Sequence, residues 1–520
     1  MNRDIGLKKV SNSSEVWDII IIGGGSTGLG AAVDAAARGY KTLLLEQSDF
    51  GKGTSSRSTK LIHGGVRYLK QGNLSLVFEA LHERGLMRKN APHISKDQRF
   101  IIPAYKWVDI LFYGIGLKLY DFMSGKLSLG KSKMLSRKKT LQLAETINPQ
   151  GLSGGVEYMD GQFDDARFAV NLAQTASDLG STVLNYMKVK GLIKDKNKTC
   201  GVIAKDIETD IEYEIQGKVV INATGIFTDE VRHLDKPKAS CIISVSQGTH
   251  IVVDKSFLPG DRGIMIPKTE DGRVLFVIPW LDHVVIGTTD IPVKEPLLEP
   301  RALKEEIEFI FSHAKKYLTR APEHKDALSI YSGLRPLVDL SGEESSTSKL
   351  SREHAILVSD SKLITITGGK WTTYRKMGQD VINMAEKTAN FSARPCITKK
   401  LKIHGGEGYT QSNDPLNHYG SDMNKIKDLQ QENPELAKAI TPNLPYTQAE
   451  TLWAVRHEMA RTVEDILSRR TRSHILGAKN SIEAAPAVAK IMAKELKKDT
   501  RWETQSVENY KKIAQNYILP

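Results

Sequence analysis

Residues 54–69, TSSRSTKLIHGGVRYL, gather five hydroxyl side chains (Thr54, Ser55, Ser56, Ser58, Thr59), three cations (Arg57, Lys60, Arg67), His63 and the pair Gly64-Gly65. Hydroxyls and cations at this density suit an anion, and paired glycines let the backbone approach a ligand closely. The apolar residues present, Leu61, Ile62, Val66, Tyr68 and Leu69, keep no clear period of 2 or 3.6, so neither a core strand nor an amphipathic helix is indicated. The chemistry to expect here is the holding of something anionic.

The elements that must position this segment lie just upstream, in VWDIIIIGGGSTGLGAAVDAAARGYKTLLLEQ, residues 16–47. A β-branched run ends at Gly23, Gly25 and Gly28 complete G-x-G-x-x-G, an Ala-rich helix runs to Gly39, and a second strand ends at Glu46. Gly23 permits the tight turn, Gly25 opens the backbone to a pyrophosphate, and Gly28 allows helix and strand to pack closely. The helix N-terminus favours negative charge, and Glu46 is placed to accept hydrogen bonds from both ribose hydroxyls. Glycine-rich turns recur in VVINATGIFTDEV, with Ala223, Thr224 and Gly225, and in LITITGGKWTTYRKM, with Gly368, Gly369 and Lys370. In known folds a nicotinamide domain is one contiguous block, whereas a flavin domain returns to its cofactor with late segments, so FAD is expected.

The 520 residues, 40% hydrophobic, are enough for two or three domains. Cys200, Cys241 and Cys396 are far apart and in no CxxC arrangement, so neither a disulfide framework nor a metal site is expected, and a reducing compartment fits. The first 15 residues carry charge but no apolar h-region and read as a flexible lead, not a secretory signal. No uninterrupted apolar run reaches the roughly 18 residues of a membrane span. The 73 Lys and Arg against 61 Asp and Glu leave a net charge of +12, which suits nucleic acid, anionic lipid or phosphorylated metabolites without choosing among them.

The ordered set GGGSTGLG, TSSRSTKLIHGGVRYL, DGQFDDAR, NATG, SQGTHIVV, VIPW with IGTTD, YSGLRPL and GGKWTTYRK closely resembles the FAD-dependent glycerol-3-phosphate dehydrogenases over residues 16–380. A weaker helical match continues through VRHEMARTVEDILSRRTR. The resemblance implies an α/β FAD-binding domain of glutathione-reductase type, Rossmann-like and discontinuous. An α+β substrate domain with an antiparallel sheet and a C-terminal helical domain complete the expected fold. The expected FAD parts are about 16–85, 160–235 and 340–390, the substrate parts about 86–159 and 236–339, and the helical domain 401–520. Independently, residues 262–290 alternate apolar and polar positions around Asp271-Gly272, which reads as an antiparallel hairpin.

Oxidising a secondary alcohol needs a base for the hydroxyl proton while hydride leaves carbon for flavin N5, and a substrate phosphate needs cations. Carried over from the family, Arg67, Tyr68, Arg352, Lys370 and Thr372 form the substrate-contacting set. His250 is the expected base, with His63 as its rival, and Arg335 would stabilise the developing alkoxide. Thr54, Ser55, Ser58, Lys60, Leu61 and His63 are expected against the cofactor, beside Gly23, Gly25, Gly28, Glu46 and the two later turns. The activity implied is oxidation of sn-glycerol 3-phosphate to dihydroxyacetone phosphate, with electrons passing to a membrane quinone. The alternatives weighed are a peroxide-forming glycerol-3-phosphate oxidase, an amine or amino-acid oxidase of the same fold, and a flavoprotein acting on tRNA. No nucleic-acid partner is expected, because the basic run 126–139 has no aromatic to stack bases. The aromatic-rich stretch KWVDILFYGIGLKLYDFM and the cations after it, residues 106–139, suit a helix lying in an anionic lipid interface. A cytoplasmic protein held peripherally at the inner face of the cell membrane follows, with homodimerisation left open.

Overall fold

Four consecutive isoleucines, Ile19 to Ile22, can all be buried only if both faces of their strand are covered, and that is what the fold provides. In the computed structural model, which describes residues 1–12, 14–65, 74–267, 269, 274–339 and 354–519, strand Val16–Ile22 lies between Thr42–Leu45 and Glu212–Asn222, parallel to both. Thr182–Leu184 and Ile364–Gly368 extend the parallel sheet on either side, and His354–Val358 closes one edge antiparallel. Ile19 and Ile21 face a core shared with the helices Ser26–Ala37, Asp165–Asp178 and Tyr374–Ala389. Ile20 and Ile22 face the opposite layer, built with residues of the antiparallel strands Met187–Asp195 and Lys198–Asp206.

Helices Ser26–Ala37 and Tyr374–Ala389 cross with their backbones touching. A Cβ on Gly30 would stand 2.8 Å from the Tyr374 carbonyl oxygen, and one on Gly378 would stand 2.5 Å from that of Gly30. This crossing carries the late turn 368–373 back onto the first glycine turn, more than 300 residues away in sequence.

The second sheet is mostly antiparallel and has ten strands among the described residues. Its long pair is Ile243–Asp254 with Ala327–Val338, in a register that sets Ser246 opposite Arg335 and His250 opposite Tyr331. Gly263–Ile266, Leu275–Trp280 and His283–Gly287 continue it as antiparallel neighbours. The expected tip at Asp271-Gly272 lies outside the described residues; a second hairpin turns at Leu281-Asp282, both residues with positive φ (46° and 58°), which suits the twist of a two-residue loop. The C-terminal helices, among them Gln448–His457, Ala478–Glu495 and Thr500–Ala514, pack Ala485, Val488, Met492 and Tyr510 into a core shared with Trp280 and Tyr331 of this sheet.

Residues 1–15 differ from the flexible lead expected. Arg3–Val10 is a helix capped by the Asn2 side chain, which accepts from the N–H of Ile5. Arg3 is buried and donates to both Asp206 oxygens, at 3.3 and 2.7 Å, and Val10 joins the core behind the first sheet. A charged segment was read as a free one because its partners lie about 200 residues downstream.

Helix Trp107–Ser124 buries only Gly114, Leu117, Tyr120 and Ser124. Trp107 (68% exposed), Phe112, Ile115 and Phe122 (83%) point outward, and Leu74 and Phe78 of the packed helix Leu74–Asn90 are exposed as well. Among the described residues, no helix is long and apolar enough to cross a membrane.

Candidate active site

The two sheets meet at a cavity of about 550 Å³ lined by segments that sequence separates widely: the first glycine turn, the stretch 45–63, the strand start 187–190, the turn 223–227 and the turn 368–372. From the second sheet come Gly248, His250, Gly333 and Arg335.

The glycine turn behaves as its spacing demands. Gly23 has φ +109°, and a Cβ on Gly28 would fall 1.9 Å from the Gly23 carbonyl oxygen. Gly25 caps helix Ser26–Ala37 without a side-chain hydrogen bond, and Gly25, Ser26 and Thr27 bring the positive end of the helix to the cavity wall. The Ser26 N–H donates to Ser55 Oγ at 2.9 Å. Glu46 accepts from the N–H groups of Gly24 (2.6 Å) and Ser48 (2.8 Å). Burial pushes its carboxyl above the ordinary range, and those two N–H groups pull the other way.

The stretch 54–63 spends much of its polarity internally. Thr54 Oγ1 donates to the Leu334 carbonyl at 2.6 Å, and Ser58 donates to Asp165 through both its N–H (3.0 Å) and its hydroxyl (2.7 Å). Thr54, Ser55, Ser58, Leu61 and His63 still line the cavity; Lys60 does not. Its left-handed backbone, φ 63°, turns the side chain inward, where Nζ donates to the Ser56 carbonyl (2.7 Å) and Asp165 (2.8 and 2.9 Å) beside the rings of Trp280 and Tyr331. The side chain expected against the cofactor instead braces the wall behind it.

His250, 2% exposed, also lines the cavity, stacked on Tyr331 with ring centroids 4.8 Å apart and planes 11° from parallel. Its Nε2 shares a hydrogen bond of 2.9 Å with the Thr59 hydroxyl, and a Cβ on Gly287 would press to 2.4 Å from the ring. Burial, then the charges of Arg335 and Lys60, hold its pKa well below the ordinary 6.5, so the ring is neutral at pH 7. Arg335 lies across Gly248 and donates to Asp290 (3.2 Å), Thr288 Oγ1 (3.1 Å) and the Thr289 carbonyl (3.2 Å). Lys370 and Thr372 line the same cavity, and Thr372 Oγ1 donates to the His63 carbonyl at 3.4 Å.

Ala223, Thr224, Gly225, Gly368 and Gly369 are brought to this cavity too, with φ 58°, 76° and 74° at the three glycines. Arg67, Tyr68 and Arg352 lie outside the described residues. Sequence reasoning counted Thr59 only among the hydroxyls of the anion-holding stretch and assigned nothing to Tyr331 or Asp165. Tyr331 and Asp165 stand inside motifs quoted for the family, but their partners are set by strand register and by a contact 107 residues long in sequence. Among the described residues no group of His, Cys, Asp and Glu could hold a metal.

These features fit FAD: a glycine turn in which a Cβ at Gly23 or Gly28 would run into backbone, a helix N-terminus at the cavity wall to suit a pyrophosphate, the Glu46 carboxyl at the end of the second strand and two returning glycine turns. The family described as FAD dependent oxidoreductase matches residues 18–375, and the C-terminal domain of alpha-glycerophosphate oxidase matches residues 396–503. The chain is 38% identical to the mitochondrial glycerol-3-phosphate dehydrogenase of Homo sapiens, over 98% of this chain and 75% of that protein. It is 39% identical to the probable mitochondrial glycerol-3-phosphate dehydrogenase of Dictyostelium discoideum, over 100% and 89%. The crystal structure of the Bacillus halodurans glycerol-3-phosphate dehydrogenase, complexed with FAD, superimposes with a TM-score of 0.81 at 29% identity, covering 99% of this chain and 97% of that one. With the cavity, its glycine turns and both halves of the chain matched, the protein belongs to the FAD-dependent glycerol-3-phosphate dehydrogenase family.

Proposed function

We propose that this protein oxidises sn-glycerol 3-phosphate to dihydroxyacetone phosphate and delivers the electrons to a membrane quinone. The observation that carries this reading is the convergence of His250, Arg335, Lys370 and Thr372 on the cavity that the Gly23–Gly28 turn opens into. The bound flavin supplies the hydride acceptor. Neutral His250 is the base for the hydroxyl proton: the Thr59 hydroxyl, hydrogen-bonded to Nε2, passes its own proton to the ring and takes the substrate's in exchange. Arg335, fixed by Asp290 and the Thr289 carbonyl, stabilises the alkoxide as it forms. Lys370 and Thr372, with Arg67, Tyr68 and Arg352, bind the phosphate end. Their combined positive charge suits a phosphate dianion better than an amino-acid carboxylate.

The exposed apolar face of helix Trp107–Ser124 supports a peripheral membrane position. Trp107, Phe112, Ile115 and Phe122 would enter the lipid interface, while exposed Lys131, Lys133, Arg137, Lys138 and Lys139 meet anionic headgroups. Sedimentation with anionic liposomes at low salt tests this; protein left in the supernatant refutes it.

Anaerobic flavin bleaching with glycerol 3-phosphate, glycerol and an amino acid side by side tests the substrate. Bleaching by glycerol 3-phosphate alone is expected, and bleaching by the amino acid would move the protein to another branch of the fold. The C-terminal match to alpha-glycerophosphate oxidase favours a second reading, in which oxygen takes the electrons. Peroxide formed stoichiometrically with product, without added quinone or dye, decides for it.

A further inference from the structure

We propose that the C-terminal domain is a clamp on the cofactor, acting through Asp49 and Lys52 to hold the segment 46–57 in its binding conformation. The inference rests on reading the cavity as the flavin site, and it gives the C-terminal helices a task there.

The segment supplies Gln47, Lys52, Gly53, Thr54, Ser55 and Arg57 to the cavity wall. Apart from one short turn at Thr54–Ser56 it has no regular structure, and its backbone is tied to its own domain at a few points, among them the Gly51 N–H on the Gly24 carbonyl at 2.9 Å and the Trp371 indole on the Ser55 carbonyl at 2.8 Å. The charged side chains of Asp49 and Lys52 are held from the far end of the chain. The buried Asp49 carboxylate accepts from Arg469 Nε at 2.5 Å and from two nitrogens of Arg470, one of them at 3.0 Å. Lys52 Nζ donates to Glu464 at 2.6 Å. Arg469 binds Glu464 (2.9 Å) and Asp465 (2.8 Å) as well, so the grips on Asp49 and Lys52 are one network. At the end of the segment Arg57 pairs with Glu299 at 2.7 Å, and the other Glu299 oxygen accepts from Tyr517 at 3.0 Å.

A buried ionic network is a poor way merely to glue two domains together. Removing several charges from water costs much of what their attraction returns, and apolar packing does as well or better. What such a network does supply is one defined geometry, because each guanidinium fork fits its carboxylates in a single arrangement. Here the geometry defined is that of a cavity wall. Without it the segment would sample other conformations, and apparent FAD affinity would fall by the fraction of time that the binding conformation is lost.

The test uses the full-length chain with flavin removed. FAD dissociation constants are measured by quenching of flavin fluorescence, and melting temperatures are taken with and without FAD. The variants are Asp49→Asn and Glu464→Gln, which keep shape and remove charge; Arg456→Gln, which breaks the exposed Arg456–Glu495 pair within the same domain, is the control. Both variants are expected to weaken FAD binding by about tenfold to a hundredfold, as for a binding conformation populated about 10% to 1% of the time. Turnover should return with excess FAD, and the control should bind as wild type. Unchanged FAD affinity, with melting temperatures lowered equally with and without FAD, would mean simple domain glue and overturn the proposal. Should Asp49→Asn fail to fold, Glu464→Gln decides alone, and unchanged affinity overturns the clamp. A wild-type chain that binds no FAD would bring down the cavity reading itself. That outcome is distinct from variants that bind as tightly as a competent wild type.

Discussion

Replacing His250 with Asn removes the imidazole while leaving a polar side chain on strand Ile243–Asp254. A general base contributes roughly 10²–10⁴-fold, or about 2.7–5.5 kcal/mol of barrier. The surroundings of His250 select the lower part of that range. Burial, Arg335 and Lys60 keep its pKa well below 6.5, which makes the ring fully available as a neutral base at pH 7 but intrinsically a weak one. A fall of about 10²–10³ in the rate of anaerobic flavin bleaching at saturating glycerol 3-phosphate is therefore expected. FAD affinity should be unchanged, because the glycine turn, Glu46 and the two late turns that are to hold the cofactor are left intact. Losing the Tyr331 stack and the Thr59 hydrogen bond should cost about 1–3 kcal/mol of stability, so folding is checked by melting temperature. In the wild type the same assay run against pH supplies a second check. The base works when neutral, acidification protonates it, and its lowered pKa puts the falling limb below 6.5. A bleaching rate within about threefold of wild type, under ~0.7 kcal/mol, would refute the reasoning, and His63 would become the base to test.

Arg335→Met should lower kcat/KM by at least about tenfold, since one charge-assisted hydrogen bond contributes roughly 1.5–3 kcal/mol. It should also move the acid limb of the pH profile upward, because the Arg335 charge helps depress the His250 pKa; a limb that stays put would separate the two residues. Asp165→Asn strips the fully buried Lys60 ammonium of its counter-charge, and urea unfolding should report a loss of about 3–5 kcal/mol; a loss under about 1 kcal/mol would mean that Lys60 is not held as described. His404 bridges Asp178 (2.6 Å) and Asp422 (2.7 Å). Burial alone would lower its pKa, but these two carboxylates outweigh it and push the imidazole up to about 9. The stabilisation is therefore complete below about pH 6.5 and lost as pH rises through 9, so melting temperature should decline across that window in the wild type and stay level in His404→Gln.

The amino-acid sequence alone determined the cofactor end of this protein. The Gly23–Gly28 turn, Glu46 at the end of the second strand and the late turns at 225 and 368 obey backbone constraints that are local, so the residues that satisfy them announce themselves. The antiparallel character of 262–290 was legible for the same reason, since alternation is written along a single strand. Side chains whose partners are distant were not. The direction of Lys60 depends on Asp165 and on a left-handed backbone at its own position, and no periodicity encodes either. His250 could be picked out by motif, but its neutrality comes from burial and from the charges of Arg335 and Lys60, which only the packing of distant segments around it supplies. The short N-terminal helix and the grip of Arg469 and Arg470 on Asp49 lie further still from anything local, the latter closing across some 420 residues. Short-range geometry can be read from residue types, whereas charge pairing and burial at this site were decided only once the two sheets and the C-terminal helices had packed together.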